Sequence, residues 1–226
     1  MIKLLRRIHL IYSLACILFF FILFLPLYYW FTRHPRYYGI LNRFRTAHAY
    51  LSATFAGIFF RFEFEKKLDK NQTYIFCANH TSNLDIIIMC ALARGRYHFM
   101  GKEELTKNPV LGIFFKTIDV AVSRASKISS FRAFKKAGDN LENGMSLIIF
   151  PEGKIDEIYP PVLQDFKSGP FRLAIEKNIP IVPVSITNVW KIMWDDGMKH
   201  GSRPGIIDVY VHEPILTSIL AVENDE

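Results

Sequence analysis

Hydrophobic and polar positions follow three different patterns along this chain. From Ile8 to Phe31 there is no Asp, Glu, Lys or Arg. As a helix that run extends about 36 Å, enough for a hydrocarbon core of roughly 30 Å. Pro26 predicts a kink near its end, and Tyr28, Tyr29 and Trp30 form an interfacial aromatic belt. A second apolar stretch, Ala47 to Phe60, is too short to span and reads as interfacial or re-entrant. Two arrangements follow: a true spanning helix, or a helical hairpin dipping into one leaflet. After Phe60 short apolar runs alternate with helical patterns. Phe60 to Glu65 alternates as a half-buried strand does. Thr73 to Ala78 follows after turn residues, so these two strands are expected to pair. Further strands are expected at Tyr97–Met100, Ile118–Val122, Ser146–Phe150, Pro180–Ile186 and Ile207–His212. Helices are expected near Asn83–Ala93, Pro109–Lys116, Ser126–Glu142 and Gly169–Lys177. In Ser126–Glu142 the stripe Ile128, Phe131, Phe134, Ala137 and Leu141 reads as core.

The fold class that follows is α/β, a mixed β-sheet flanked by helices and preceded by a membrane-inserted N-terminal helical segment. Residues 1–60 are the anchoring helices and residues 61–226 the α/β domain, ending in a polar tail from Ala221 to Glu226.

Charge sharpens this picture. The formal net charge is +7. Residues 1–70 hold eleven Lys/Arg against three acids, and the remainder seventeen against eighteen, so the excess belongs to the N-terminal arm. A basic arm beside an apolar run suits anionic lipid head groups. The rest carries no basic stripe interleaved with aromatics, which argues against nucleic acid. Lys3, Arg6 and Arg7 resemble the start of a signal peptide. The apolar run is too long for one and lacks a small-residue cleavage pattern, so it is expected to be retained. The three cysteines, Cys16, Cys77 and Cys90, have no metal-site spacing and read as buried thiols of a reducing compartment.

Candidate chemistry begins in Cys77-Ala-Asn-His-Thr-Ser-Asn-Leu-Asp85, which runs from a strand into a helix. On one continuous helix His80 and Asp85 would point apart. If Thr81 or Ser82 caps the helix instead, Asp85 folds back toward the imidazole, fixes its tautomer and leaves the other nitrogen as a base. The alternative is that Ser82-x-x-Asp85 is a variant capping box and His80 a hydrogen-bonded loop residue. In Ile148-Ile-Phe-Pro-Glu-Gly153 a buried strand stops at a turn. Gly153 would let backbone approach a ligand and Glu152 would hydrogen-bond hydroxyls; a solvated turn is the plain alternative. Arg124 precedes a helix start and suits a phosphate monoester, or else forms a surface ion pair. In Ile181-Val-Pro-Val184 the proline cannot donate to a ladder, which predicts an edge or a bulge.

Taken in order, these pieces resemble the boxes of the glycerolipid acyltransferase family. Asn79-His80 with Asp85 looks like its His-x4-Asp box, Arg124 falls where its second box ends, Phe150-Pro-Glu-Gly153 is similar to its third, and Val182-Pro-Val184 to its fourth. The likeness covers about residues 74–186. It implies an acyltransferase moving a fatty acyl group from acyl-CoA or acyl carrier protein, with no cofactor and no metal, to the sn-2 hydroxyl of 1-acyl-glycerol-3-phosphate in phospholipid biosynthesis. His80 and Asp85 would be catalytic; Asn79, Arg124, Lys154, Glu152 and Gly153 would bind substrate. Backbone N–H groups after the first and third boxes would hold the oxyanion. The partners implied are the lysophospholipid, the acyl thioester and membrane lipid, with the catalytic domain facing the cytoplasm. Two departures stand out: the third box continues Lys154-Ile-Asp156 where the family has Thr-Arg-Ser, and the second lacks the acid that often precedes its arginine. Both touch acceptor recognition. A different lysolipid such as a lyso-aminolipid, a phospholipid donor, or a non-catalytic lipid-binding role are the competing readings.

Overall fold

The structure is a computed structural model that describes residues 1–123, 126–155, 158–194 and 197–218. Arg124 and the tail Ala221 to Glu226 therefore lie outside the described residues. Helix α1 (Ile2–Phe31) and helix α2 (Tyr38–Phe55) come first. Strands β1 (Ile58–Phe64) and β2 (Ile75–Ala78), helix α3 (Leu84–Leu92) and strand β3 (Tyr97–Lys102) follow. Then come α4 (Gly112–Phe115), β4 (Val120–Val122), α5 (Lys127–Glu142), β5 (Ser146–Ile149), α6 (Gly169–Lys177) and β6 (Ile181–Ile186). Two short helices, α7 (Val189–Ile192) and α8 (Gly197–His200), precede β7 (Gly205–Val211).

The seven strands form one sheet in the order β1-β7-β6-β2-β5-β3-β4. It is mixed: β6 and β7 pair antiparallel, and every other pair is parallel. The expected β1–β2 pairing does not form. β1 instead runs parallel to β7, Phe60 opposite Ile207, with two strands between it and β2. The short turn before β2 suggested a hairpin, but the tertiary partner lies far along the chain. β2, β3 and β5 are buried along most of their length, as parallel strands covered on both faces should be.

One face packs against α2 and α3 through Phe76, Ala78, Val182, Ile88 and Met89; the other packs under α5 and α6 through Ile75, Cys77, Leu147, Ala137 and Leu173. Local signals set the helix ends. Ser126 Oγ accepts from Ser129 N–H at 3.2 Å as the cap of α5. α6 opens with proline in its first turn and ends at Asn178 in the left-handed region, φ 51°. The expected stripe of α5 is only partly core: Ala137 and Leu141 are buried, but Ile128 and Phe131 are 66% and 71% exposed, because only the C-terminal half of the stripe meets the sheet. The helix expected at 109–116 shrinks to α4, after a 3-10 turn at Glu103–Lys107.

Pro183 sits within an interior strand, and the bulge alternative holds there. Beyond the regular β6–β7 ladder, Ile181 bridges Ile215, so residues 212–214 oppose residues 182–183. Pro183 lacks its N–H at this irregular point, and its carbonyl accepts from His212 N–H at 3.0 Å.

α1 and α2 form an antiparallel hairpin. Ring contacts descend it from Phe31–Phe44 (5.6 Å) to Phe20–Phe55 (5.1 Å), and His9 Nε2 meets the Ala56 carbonyl at 2.9 Å. The stretch Ala47 to Phe60 is thus no separate interfacial segment. Ala49 and Ala53 of α2 are buried against the domain, and Ile58 begins β1. Arg45, one of the eleven Lys and Arg of residues 1–70, is buried as well. Its guanidinium bonds Asp119 through two nitrogens at 3.2 and 3.0 Å and lies over the Tyr97, Phe99 and Phe114 rings.

Candidate active site

The loop leaving β2 and the loop leaving β5 emerge side by side, because these parallel strands are neighbours and both end toward the same edge of the sheet. Crevices at the carboxyl ends of strands are the usual binding places in such folds. In the first loop His80 and Asp85 meet: His80 Nδ1 lies 2.9 Å from Asp85 Oδ2. The same oxygen accepts the Thr81 and Ser82 N–H groups at 2.7 and 2.9 Å, and Ser82 Oγ accepts from Leu84 N–H at 3.1 Å. The capping geometry and the pairing with histidine, set out as alternatives in the sequence, thus coexist: one carboxylate oxygen closes the helix start and holds the ring. Asp85 is fully buried. Burial pushes its carboxyl up, against the pull of His80 and of the two backbone donors. With Nδ1 donating to Asp85, Nε2 keeps its lone pair as an acceptor for a proton. Phe150 stacks on the imidazole, centroids 4.1 Å apart and planes 15° apart, and fixes the ring from its face. Nothing in the Phe150-Pro-Glu-Gly153 motif alone signals this contact.

Glu152 and Asn79 sit where expected but are engaged with the protein. Glu152 is 3% exposed. Its Oε1 accepts from His80 N–H at 2.6 Å and its Oε2 from Gln164 N–H at 2.8 Å. Rather than presenting its carboxylate to a hydroxyl, it ties the His80 loop to the segment before α6. Asn79 extends the β2–β6 ladder with its side chain: its amide donates to the Ile186 carbonyl at 3.0 Å, and its Oδ1 accepts from Ile186 N–H at 2.7 Å. Both residues position His80. Gly153, at φ +74°, makes the turn that other residues resist, and its N–H donates to the Phe150 carbonyl at 3.0 Å. The N–H groups of residues 80, 81, 82 and 153, all in these two turns, are therefore spent on internal bonds.

His80 lines a cavity of about 410 Å³ with Phe150, Gly153, Lys154, Lys102 and Met100. Lys154 is exposed at its edge. A second, mostly apolar cavity of about 310 Å³ lies between α1, α2, α3 and α4, lined by Leu14, Ile17, Ile87 and Phe114. Arg45, Asn83, Ile86 and Leu111 line both. Cys77, three residues before His80, offers no nucleophile, since burial pushes its thiol up to about 12. All three cysteines are free and buried. No group of three or more His, Cys, Asp or Glu fit to hold a metal occurs among the described residues.

Comparison with known proteins points the same way. The acyltransferase family model matches residues 59–187. An uncharacterized acyltransferase of Schizosaccharomyces pombe is 30% identical over 153 residues, 66% of this chain and 55% of that protein. The 1-acyl-sn-glycerol-3-phosphate acyltransferase of Saccharomyces cerevisiae is 30% identical over 159 residues, 69% of this chain and 51% of its own length. The chain spans about half the length of the curated relatives it matches. The crystal structure of the 1-acyl-sn-glycerophosphate acyltransferase PlsC from Thermotoga maritima superposes with a TM-score of 0.81 at 20% identity, over 99% of this chain and 90% of that one, so the two share a fold. With the matched region spanning both loops that carry His80, Asp85 and Glu152, this chain belongs to the acyltransferase family.

Proposed function

We propose that the chain transfers a fatty acyl group from a thioester, acyl-CoA or acyl carrier protein, to the sn-2 hydroxyl of 1-acyl-glycerol-3-phosphate. The observation that carries this reading is the His80–Asp85 pair with Nε2 free beside a cavity that adjoins an apolar one. His80 Nε2 takes the proton of the acceptor hydroxyl as that oxygen attacks the thioester carbonyl, and Asp85 stabilises the imidazolium. The tetrahedral intermediate collapses with breakage of the C–S bond. A thiol of pKa near ~8.5 leaves readily as thiolate and recovers the proton from His80. The acyl chain occupies the apolar cavity. Lys154 and Lys102, which line the polar cavity, supply positive charge to the acceptor phosphate or to the oxyanion, and Arg124 is assigned to the phosphate on the family likeness alone. The chemistry uses no cofactor beyond the acyl thioester.

The same reading includes attachment to the cytoplasmic face of a membrane. α1 is long and apolar enough to cross one. Its inner side is nevertheless committed along its length: Ser202 N–H donates to the Arg6 carbonyl at 2.9 Å, and Tyr28 packs edge-on against Phe114 at 4.9 Å. Leu4, Ile11, Leu18 and Leu25 lie exposed on its other side. That division favours a helix lying in one leaflet with its outer face in lipid. The test of the activity is product analysis by mass spectrometry of the purified chain in lipid micelles, with each donor and a panel of lysolipids. Phosphatidic acid formed from lysophosphatidic acid and a thioester is the expected result. Acylation confined to a lyso-aminolipid, or proceeding without any thioester, would replace it.

A further inference from the structure

A third cavity, of about 600 Å³, opens on the α6 side of the sheet and has no part in the mechanism above. Phe166, Phe171, Trp190 and Ile215 line it, and among the described residues no Lys, Arg, Asp, Glu or His does. One wall belongs to the catalytic loop itself: Thr81, next in sequence to His80, is only 8% exposed there. Its N–H donates to Asp85, yet its Oγ1 is buried without a hydrogen-bond partner. A buried hydroxyl left unpaired is costly unless a ligand completes it.

The rim of the cavity is apolar and exposed at Leu163 and at Ile215, 63% and 50%. It is also coupled to the base. Glu152 accepts from the N–H of Gln164, next to Leu163, and from that of His80, while Lys167 N–H donates to the Pro151 carbonyl at 3.0 Å. Rim, third-box turn and catalytic loop are therefore one hydrogen-bonded unit.

Resting on the acyl-transfer reading, two hydrocarbon chains must be held at once, one on the donor and one on the lysolipid. The apolar cavity beneath α1 and α2 takes one. The cationic cavity at Lys154 and Lys102 suits phosphate, whereas the third cavity, with no charged lining among the described residues, suits hydrocarbon. We propose that this third cavity seats the acyl chain of the lysolipid acceptor, with the Thr81 hydroxyl donating to the carbonyl that joins that chain to its head group. The open apolar rim fits a substrate arriving from a bilayer, since it offers lipid-like surface at the entrance.

Leu163→Trp and Ile215→Trp narrow the mouth from two different segments, both at exposed positions where folding is little disturbed. The experiment measures initial rates for each variant against acceptors of increasing chain length with one donor, and against donors of increasing chain length with one acceptor. The expected result is a KM for long-chain acceptors raised about tenfold or more, with short-chain acceptors and the donor profile unchanged. Thr81→Val, which keeps the shape and removes the hydroxyl, is expected to raise acceptor KM at every chain length while leaving donor KM alone. A shift in the donor profile, or no shift in either, overturns the assignment while the transferase reading stands. Absence of any lysolipid acylation by the unsubstituted chain overturns both.

Discussion

Asp85 Oδ2 accepts from three donors, the His80 ring and the N–H groups of Thr81 and Ser82, and so couples the start of α3 to the orientation of that ring. His80→Ala should lower kcat/KM by about 10²–10⁴-fold with the fold intact, since general-base help is worth that much. Asp85→Asn should cost about 10⁴-fold by presenting an amide where the ring needs an acceptor, as in a related triad. Thioester consumption assayed in both variants checks this, and near-normal turnover in either would remove the base assignment. The pairing of these two residues was legible because it follows from residue type and a break in the helix. Glu152 and Asn79 were found at the right places, but their partners were not, because a carboxylate bound to backbone N–H groups and one bound to a substrate hydroxyl look alike in sequence. His98 gave no sequence signal at all. Fully buried on β3, it is pushed down by burial to about 3. An unfolded histidine takes its proton near ~6.5. Stability is therefore whole above that value and declines as pH falls from there toward 3, where the native ring at last protonates. Urea denaturation should show a loss of about 2 kcal/mol from this residue between about pH 7.5 and about pH 5, and His98→Leu should flatten that part of the profile.

Among the elements, α6 forms at the bounds expected from sequence, opening with a proline and ending at a left-handed asparagine. The partner of β1 was not legible. Its alternation says only that one face is buried, and β7, which supplies its ladder, lies far away in sequence. Nor was the role of Arg45, which stands among basic residues on α2 and reads as surface charge. In the fold, burial works against its charge, but Asp119 and the neighbouring groups together outweigh it and hold the guanidinium above its usual range. Because Asp119 Oδ1 also accepts from Phe99 N–H at 2.9 Å, the pair joins α2 to β3 and to the entrance of β4. Arg45→Met or Asp119→Asn should each cost about 3–5 kcal/mol by leaving one buried partner uncompensated. The double substitution Arg45→Met with Asp119→Leu should recover part of that loss. It would not recover all, since the Phe99 N–H then has no acceptor. Chemical denaturation of the two single variants and the double tests this. Single variants as stable as the unsubstituted chain would show that the pair does not hold α2 in place.

At the scale of the whole molecule, an α/β domain behind an apolar arm was readable from the switch in periodicity at Phe60, but the arm's attitude was not, because length and hydropathy alone permit both crossing and lying flat. The fold adds what the sequence lacks: contacts at both ends of α1. At the first turns His9 Nδ1 lies 2.6 Å from Ser202 Oγ, and Gly201, at φ +68°, leaves room where a Cβ would stand 2.6 Å from the Arg6 carbonyl carbon. At the far end Tyr28 is buried against α4. On the one-leaflet reading proposed above, a helix pinned at both ends to a polar domain would have to take that domain with it to thread a bilayer, and burying unpaired backbone groups of loops in hydrocarbon is prohibitive. Single fluorophores placed in turn at Leu4, Ile11, Leu18 and Leu25, on vesicles with depth-specific quenchers, should all report one shallow depth. A crossing helix would give a profile deepest at Ile11 and Leu18. Gly201→Val supplies the internal control: a side chain driven into Arg6 should release the first turns, changing the depth at Leu4 while Leu25, held near the Tyr28 contact, keeps its own.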